Sequence, residues 1–166
     1  MQPKARNRST QYPVAPAPAV VFDTTPVRQA VRRLSQVDIE REAAWLIPAI
    51  QDHWNGPSTT IVMGWLRLWM HDNSYNVAIT ESGQTVGLAI MCHDAMDPEH
   101  VVEQVFLFHK PGSKEDGVEV YNHFLAWARL VKAKEFRFPK AAAETRDLLR
   151  DAIPGFKWRS NCYVEL

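Results

Sequence analysis

Glu103–Phe138 reads EQVFLFHKPGSKEDGVEVYNHFLAWARLVKAKEFRF, and its pattern changes along its length. Val105, Phe106, Leu107 and Phe108 crowd together, as in a strand covered on both faces. Pro111-Gly112-Ser113 stops that strand, because proline and glycine break a ladder and favour turns. From Gly117 the period lengthens. Val118, Tyr121, Leu125, Ala128 and Val131 recur three or four residues apart, which is one face of a helix. Phe136 and Phe138 then alternate with Glu135 and Arg137, as in a short half-buried strand. A strand, loop, helix and strand of this length form a right-handed crossover between parallel strands. The loop falls at a helix N-terminus, where unpaired amides and the helix dipole favour an anion.

The flanking chain supplies the other elements. Val27–Leu34 reads as a first strand after Pro26. Ser35 or Asp38 caps a helix whose apolar face is Ile39, Ala43, Leu46, Ile47 and Ile50, with a kink or break expected near Trp45-Leu46-Ile47 because of Pro48. Ser58 caps a second helix carrying Ile61, Trp65, Leu68 and Trp69 on one face, the tryptophans being read as core or interface. Tyr75–Glu81 and Thr85–Cys92 flank Ser82-Gly83 as a hairpin. After the opening stretch come a last helix, Ala141–Ala152, a Pro154-Gly155-Phe156 turn and a terminal strand, Lys157–Leu166. The order is β-α-α-β-β-β-α-β-α-β.

At 166 residues with 46% hydrophobic content the chain suffices for one domain with a real core. Equal numbers of basic and acidic residues, 19 each, argue against bulk electrostatic binding to nucleic acid or membrane. No apolar run approaches the roughly 20 residues that span a bilayer, and no signal peptide is visible. Two cysteines, Cys92 and Cys162, make no disulfide framework, so a reduced cytoplasmic setting is expected. Residues 1–25 read as an extended, proline-rich basic arm, with residues 26–166 as the folded domain. Such an arm is either a flexible tail or a segment that binds a protein partner.

His93, Asp94, Asp97, Glu99 and His100 cluster closely, yet no paired metal-ligand spacing is present. They are read as a solvated loop between strands, and no metal is expected. Cys92-His93-Asp94 is no thiol-protease arrangement, because adjacent residues on a strand point to opposite faces.

The order of elements over residues 26–166 resembles the GNAT superfamily of acyl-CoA-dependent N-acetyltransferases. Their sheet is mixed and mostly antiparallel, flanked by helices, in the α+β class. In that family a central strand leads into a Q/R-x-x-G-x-G/A loop, and here the matching stretch is Lys114-Glu115-Asp116-Gly117-Val118-Glu119. The resemblance implies that the amides of Lys114, Glu115, Asp116, Gly117 and Val118 hold the pyrophosphate of acetyl-CoA. It implies that the backbone of Phe108 and His109 pairs with the pantetheine arm. Some members carry a general-base glutamate eleven positions before the first loop residue, and Glu103 stands there. A carboxylate set among Val101, Val105 and Phe106 is suited to a base's work.

The chain also departs from the family pattern. Glu119 replaces the last small residue of the loop, and with Glu115 and Asp116 it sets negative charge against a pyrophosphate. Asp151 stands where the family often has a general-acid tyrosine, four residues before Gly155, and the asparagine often found after the next strand is missing from Pro139–Leu149. Tyr163 or Cys162 is the remaining candidate for the acid. These departures leave a second reading open. It is a catalytically inactive protein of this fold, serving as an assembly component of a phage virion and using its arm to bind neighbouring subunits. A third is an inhibitor-like or antirepressor-like binding module.

Overall fold

The structure of the protein is a computed structural model that describes residues 30–94, 97–138, 150–151, 156–158 and 162–165. The expected arm, residues 1–25, lies outside the described residues, as does the expected last helix apart from Arg150 and Asp151, which are helical. The described elements are, in order, β1 (Val31–Arg33), α1 (Gln36–His53), α2 (Thr59–His71), β2 (Tyr75–Thr80), β3 (Thr85–Asp94), β4 (Asp97–His109), α3 (Val118–Leu130), β5 (Glu135–Phe138), β6 (Phe156–Trp158) and β7 (Cys162–Glu165). They form a seven-stranded sheet in the order β1-β2-β3-β4-β5-β7-β6. Only β4 and β5 run parallel, so the sheet is mixed and mostly antiparallel, with helices on both faces.

Several sequence expectations need correction. The first strand covers only Val31–Arg33 of the described residues. Helix α1 runs unbroken through Pro48, because Leu46 and Ile50 on either side of it are fully buried and hold the helix to the sheet. The terminal strand is two strands, β6 and β7, paired antiparallel. His93 and His100 lie not in a loop but opposite each other on β3 and β4. Their rings are 5.4 Å apart, and His100 Nε2 meets the Val131 carbonyl just past the end of α3. No group of three or more metal-ligating side chains forms among the described residues.

Hydrophobic residues separate cleanly onto the two faces of the sheet. Helices α1 and α2 cover one, where Ile39, Leu46, Ile50, Val62, Leu66 and Trp69 meet Val77, Ile79, Val86, Leu88 and Phe106. Trp65 stacks on Trp69 at 6.1 Å within this layer, as expected of a core pair. Helix α3 covers the other face, where Val120, Tyr121, Phe124 and Ala128 meet Ala78, Ala89, Val102, Phe136 and Phe138. It lies close on β3 because Gly87 offers no side chain. A Cβ there would stand 2.9 Å from Val120 and 3.0 Å from Phe124. Among the described residues no helix is long and apolar enough to cross a membrane.

A polar network fixes the start of α1. Ser35 and Asp38 form a reciprocal capping box. Asp38 is 1% exposed and also accepts from both terminal nitrogens of Arg32 and from Arg41. The Arg32 guanidinium, with help from Ser35, holds the Asp38 carboxyl far below the usual carboxylate range against the opposing effect of burial. A lowered folded value means that this stability is present above the ordinary carboxylate value, near pH 4, and is lost as pH falls further. Acid titration of the thermal melt is therefore expected to show stability falling below about pH 4. Asp38→Asn should lower stability at neutral pH by about 2 kcal/mol, since Arg32 is half-exposed and screened, and should flatten the acid limb. An unchanged acid limb would contradict this role.

Candidate active site

The site begins where β4 leaves β5. These strands pair only at Val102↔Phe136 and Glu103↔Arg137. Beyond Glu103, β4 continues for six residues to His109 with β3 alone as its partner. β5 meanwhile continues along β7, with Phe138 opposite Cys162. The sheet therefore forks after Glu103, and one backbone edge of β4 has no strand partner among the described residues.

A bulge in β4 accompanies the fork. Leu88 pairs with Phe106 while Ala89 pairs with Gln104, so Val105 is an extra residue on β4. Side-chain parity flips there. Val102 before the bulge and Leu107 after it both lie on the α3 face, whereas Val105, Phe106 and Phe108 join the α1–α2 layer. By the alternation along β4, Glu103 belongs to the α1–α2 face. It is half-buried. Cys92, on the facing part of β3, senses the charges of both Glu103 and Arg137. Burial first, and Glu103 second, push its thiol up, so it is a poor nucleophile.

The register also aligns the two candidate catalytic residues. Glu103 stands opposite Arg137, and Arg137 stands opposite Tyr163 on β7. Glu103 and Tyr163 thus share one row two strands apart, about 10 Å between backbones at ordinary strand spacing. Sequence reasoning missed Arg137 between them. Its Nε donates to Glu135 on its own strand, and only the pairing of β4 with β5 brings it beside Glu103.

The loop from Lys110 to Gly117 returns the chain to the open edge. Gly117 is the N-cap of α3 in a left-handed conformation, φ 75°, without a side-chain cap. A Cβ there would meet Leu107 at 2.6 Å and His109 at 3.2 Å. The N-terminus of α3 is therefore pressed against the free half of β4, and glycine is required twice over. Val118 is buried and its amide donates to Asp116 Oδ1 at 3.0 Å, while the Glu115 amide donates to Ser113 Oγ at 3.2 Å. Among the described residues the amides of Lys114, Asp116 and Gly117 make no hydrogen bond. Of the loop's carboxylates, Asp116 stays at the helix end and Glu119 is half-buried in its first turn.

Glu115 turns away from the loop amides. Its Oε2 accepts from Thr80 at 2.9 Å and Thr85 at 2.7 Å, and its Oε1 accepts from Ser82. The loop is moored to the β2–β3 turn a second time by the Lys110 amide, which donates to the Gln84 carbonyl at 2.7 Å. Thr85 Oγ1 also meets His109 Nδ1 at 3.0 Å. With the Thr85 proton given to Glu115, Nδ1 must be the donor in that contact. Burial draws the His109 value down, while the charges of Glu115 and Asp116 oppose that. Phe108 and His109 pair with Val86 and Thr85 on β3.

No family model matches the chain, and no curated protein matches it. Solved structures do. An aminoglycoside acetyltransferase, AAC(6')-Iy in complex with the bisubstrate analog CoA-S-monomethyl-acetylneamine, aligns with a TM-score of 0.60 at 13% identity over 76% of this chain and 90% of that one. Glucosamine-6-phosphate N-acetyltransferase from Arabidopsis thaliana aligns with a TM-score of 0.59 at 8% identity over 80% of this chain and 95% of that one. A GNAT family acetyltransferase of Staphylococcus aureus aligns at 0.54 and 9% identity over 68% and 86%. The fold is that of the GNAT acetyltransferases. At these identities the likeness carries the GNAT architecture and no residue's role. The virion-subunit alternative finds no support in these structures.

The mooring of the loop predicts a local effect. Glu115→Ala should accelerate amide exchange in residues 110–117 while core amides of α3 and β2 keep their protection. Unchanged exchange in that loop would show that the three hydroxyl contacts do not restrain it.

Proposed function

We propose that this GNAT-fold protein is an acyl-CoA-dependent N-acetyltransferase. The observation that carries the reading is the edge of β4 beside the N-terminus of α3, where three amides lack a partner among the described residues. A fork provides a slot for an extended arm, and unpaired amides at a helix N-terminus suit a pyrophosphate. The residues present fit such a donor. Lys114, Asp116 and Gly117 offer amides, Lys114 adds an exposed cation, and β4 from Gln104 to His109 offers backbone groups to the arm. Glu115 leaves the amides unobstructed by pairing with the β2–β3 turn.

Acetyl-CoA, when bound, supplies the activated acetyl thioester. The chain's residues then divide the proton work. Glu103 takes a proton from the acceptor ammonium, so that the amine can attack. Arg137 stands next to Glu103 in register. Tyr163, in the same row, is the candidate to return a proton to the departing sulfur. In this reading, β4 amides without a strand partner among the described residues polarise the thioester carbonyl. A small-molecule acyl donor is thus the proposed partner. No observation among the described residues favours the assembly-component reading, and the partner role of residues 1–25 is untouched by the fold.

Acetyl-CoA should raise the melting temperature. At a concentration a hundredfold above Kd the stabilisation is about 2.7 kcal/mol. No shift at millimolar acetyl-CoA would overturn the proposal. Glu103→Gln should keep this shift and lower kcat with a suitable amine about 10²- to 10⁴-fold, the ordinary contribution of a positioned base. Wild-type turnover in that variant would remove Glu103 from the chemistry.

A further inference from the structure

Gln104 is the first residue of β4 past the last rung shared with β5. It is 4% exposed, and its side-chain Oε1 is sealed from solvent without a hydrogen-bond partner. The amide meets the Tyr121 hydroxyl from α3. Tyr121 is 5% exposed, and its ring stands edge-on to Phe138 of β5 at 5.4 Å. Tyr121 therefore reaches from α3 across the base of the fork, touching Gln104 on one arm and Phe138 on the other. Burial pushes its phenol up to about 12, so it stays protonated at neutral pH.

A buried carbonyl oxygen without a donor costs about 1–3 kcal/mol. A leucine or methionine at this position would avoid that penalty. Turning the amide over only exchanges an orphaned oxygen for an orphaned NH₂. The deficit is thus fixed by the residue type, and it lies at the point where the two strands separate. A ligand that enters the fork with its own amide groups would remove it.

We propose that Gln104 is a ligand-binding side chain, whose amide accepts a hydrogen bond from a secondary amide N–H in the arm of the acyl donor. The inference rests on the proposed acyl-CoA reading and deepens it. The arm of CoA carries secondary amides, with both N–H and C=O groups, so it can satisfy the Gln104 amide in either orientation. The nucleotide end of CoA carries none, which separates this contact from the pyrophosphate loop. Gln104 thereby selects donors with an amide-bearing arm.

Calorimetric titration of acetyl-CoA and of 3′,5′-ADP into the wild type, Gln104→Leu and Gln104→Met tests this. Both variants should bind acetyl-CoA about tenfold more weakly, the scale set by leaving a buried ligand N–H unpaired. Both should bind 3′,5′-ADP as the wild type does. Without ligand, both should melt at or above the wild-type temperature, because an orphaned polar group has been removed. Unchanged acetyl-CoA affinity overturns the proposal. So does equal weakening of both ligands, which marks damage to the loop, or a lower melting temperature in both variants, which marks a structural role. If the wild type binds neither ligand, the acetyltransferase reading fails first and this inference falls with it.

Discussion

The parallel contact between β4 and β5 ends after two rungs, and the rest of the molecule is arranged around that ending. A parallel pair of full length would close the sheet and satisfy the backbone of β4 on both sides. Here the extra residue at Val105 turns β4 aside, and β5 continues with β7. The result is an edge inside the sheet. Edges are ordinarily covered or blunted, because unpaired amides and carbonyls invite other chains. Among the described residues, α3 covers one face of the sheet beside it and α1 and α2 cover the other.

The bulge explains why one strand serves two layers and a site together. Residues before Val105 and residues after it present opposite parities. Phe106 and Phe108 can then complete the α1–α2 layer while Val102 and Leu107 complete the α3 layer. Glu103 and Gln104 fall just before the flip. One looks toward the α1–α2 face, with Cys92 in electrostatic reach. The other is buried against α3 and Tyr121. A base candidate and a buried amide thus occupy consecutive residues yet opposite sides of the sheet.

Much of this was legible in the chain. Periodicity placed the β2–β3 hairpin, α3 and β5 close to their observed bounds, because each carries an uninterrupted apolar pattern between strong punctuating residues. On α2 the expected face was off, since Val62, Leu66 and Trp69 are buried while Ile61 and Leu68 are exposed. The loop before α3 and the position of Glu103 were legible through the family resemblance. Pro48 misled, since a local penalty was outweighed by burial of Leu46 and Ile50. The split of the last strand was hidden because its two halves share one β-like composition. The bulge at Val105 and the alignment of Glu103 with Arg137 had no signal at all, since both are products of pairing between distant strands. Glu115 read as a charge opposed to phosphate; three hydroxyls from another hairpin decide its direction.

That hairpin's tip is gripped from two sides. Glu42 of α1 packs so closely that a Cβ on Gly83 would stand 2.4 Å from its carboxylate, and Glu42 also binds Lys110 and the Trp45 indole. Glu115 grips Thr80 and Ser82 next to it. A hairpin tip is usually the most tolerant part of a sheet. In this protein it is the common anchor of a helix on one face and a loop on the other. The loop and α1 therefore share one anchor, and Lys110 of the loop also reaches Glu42 of α1 directly.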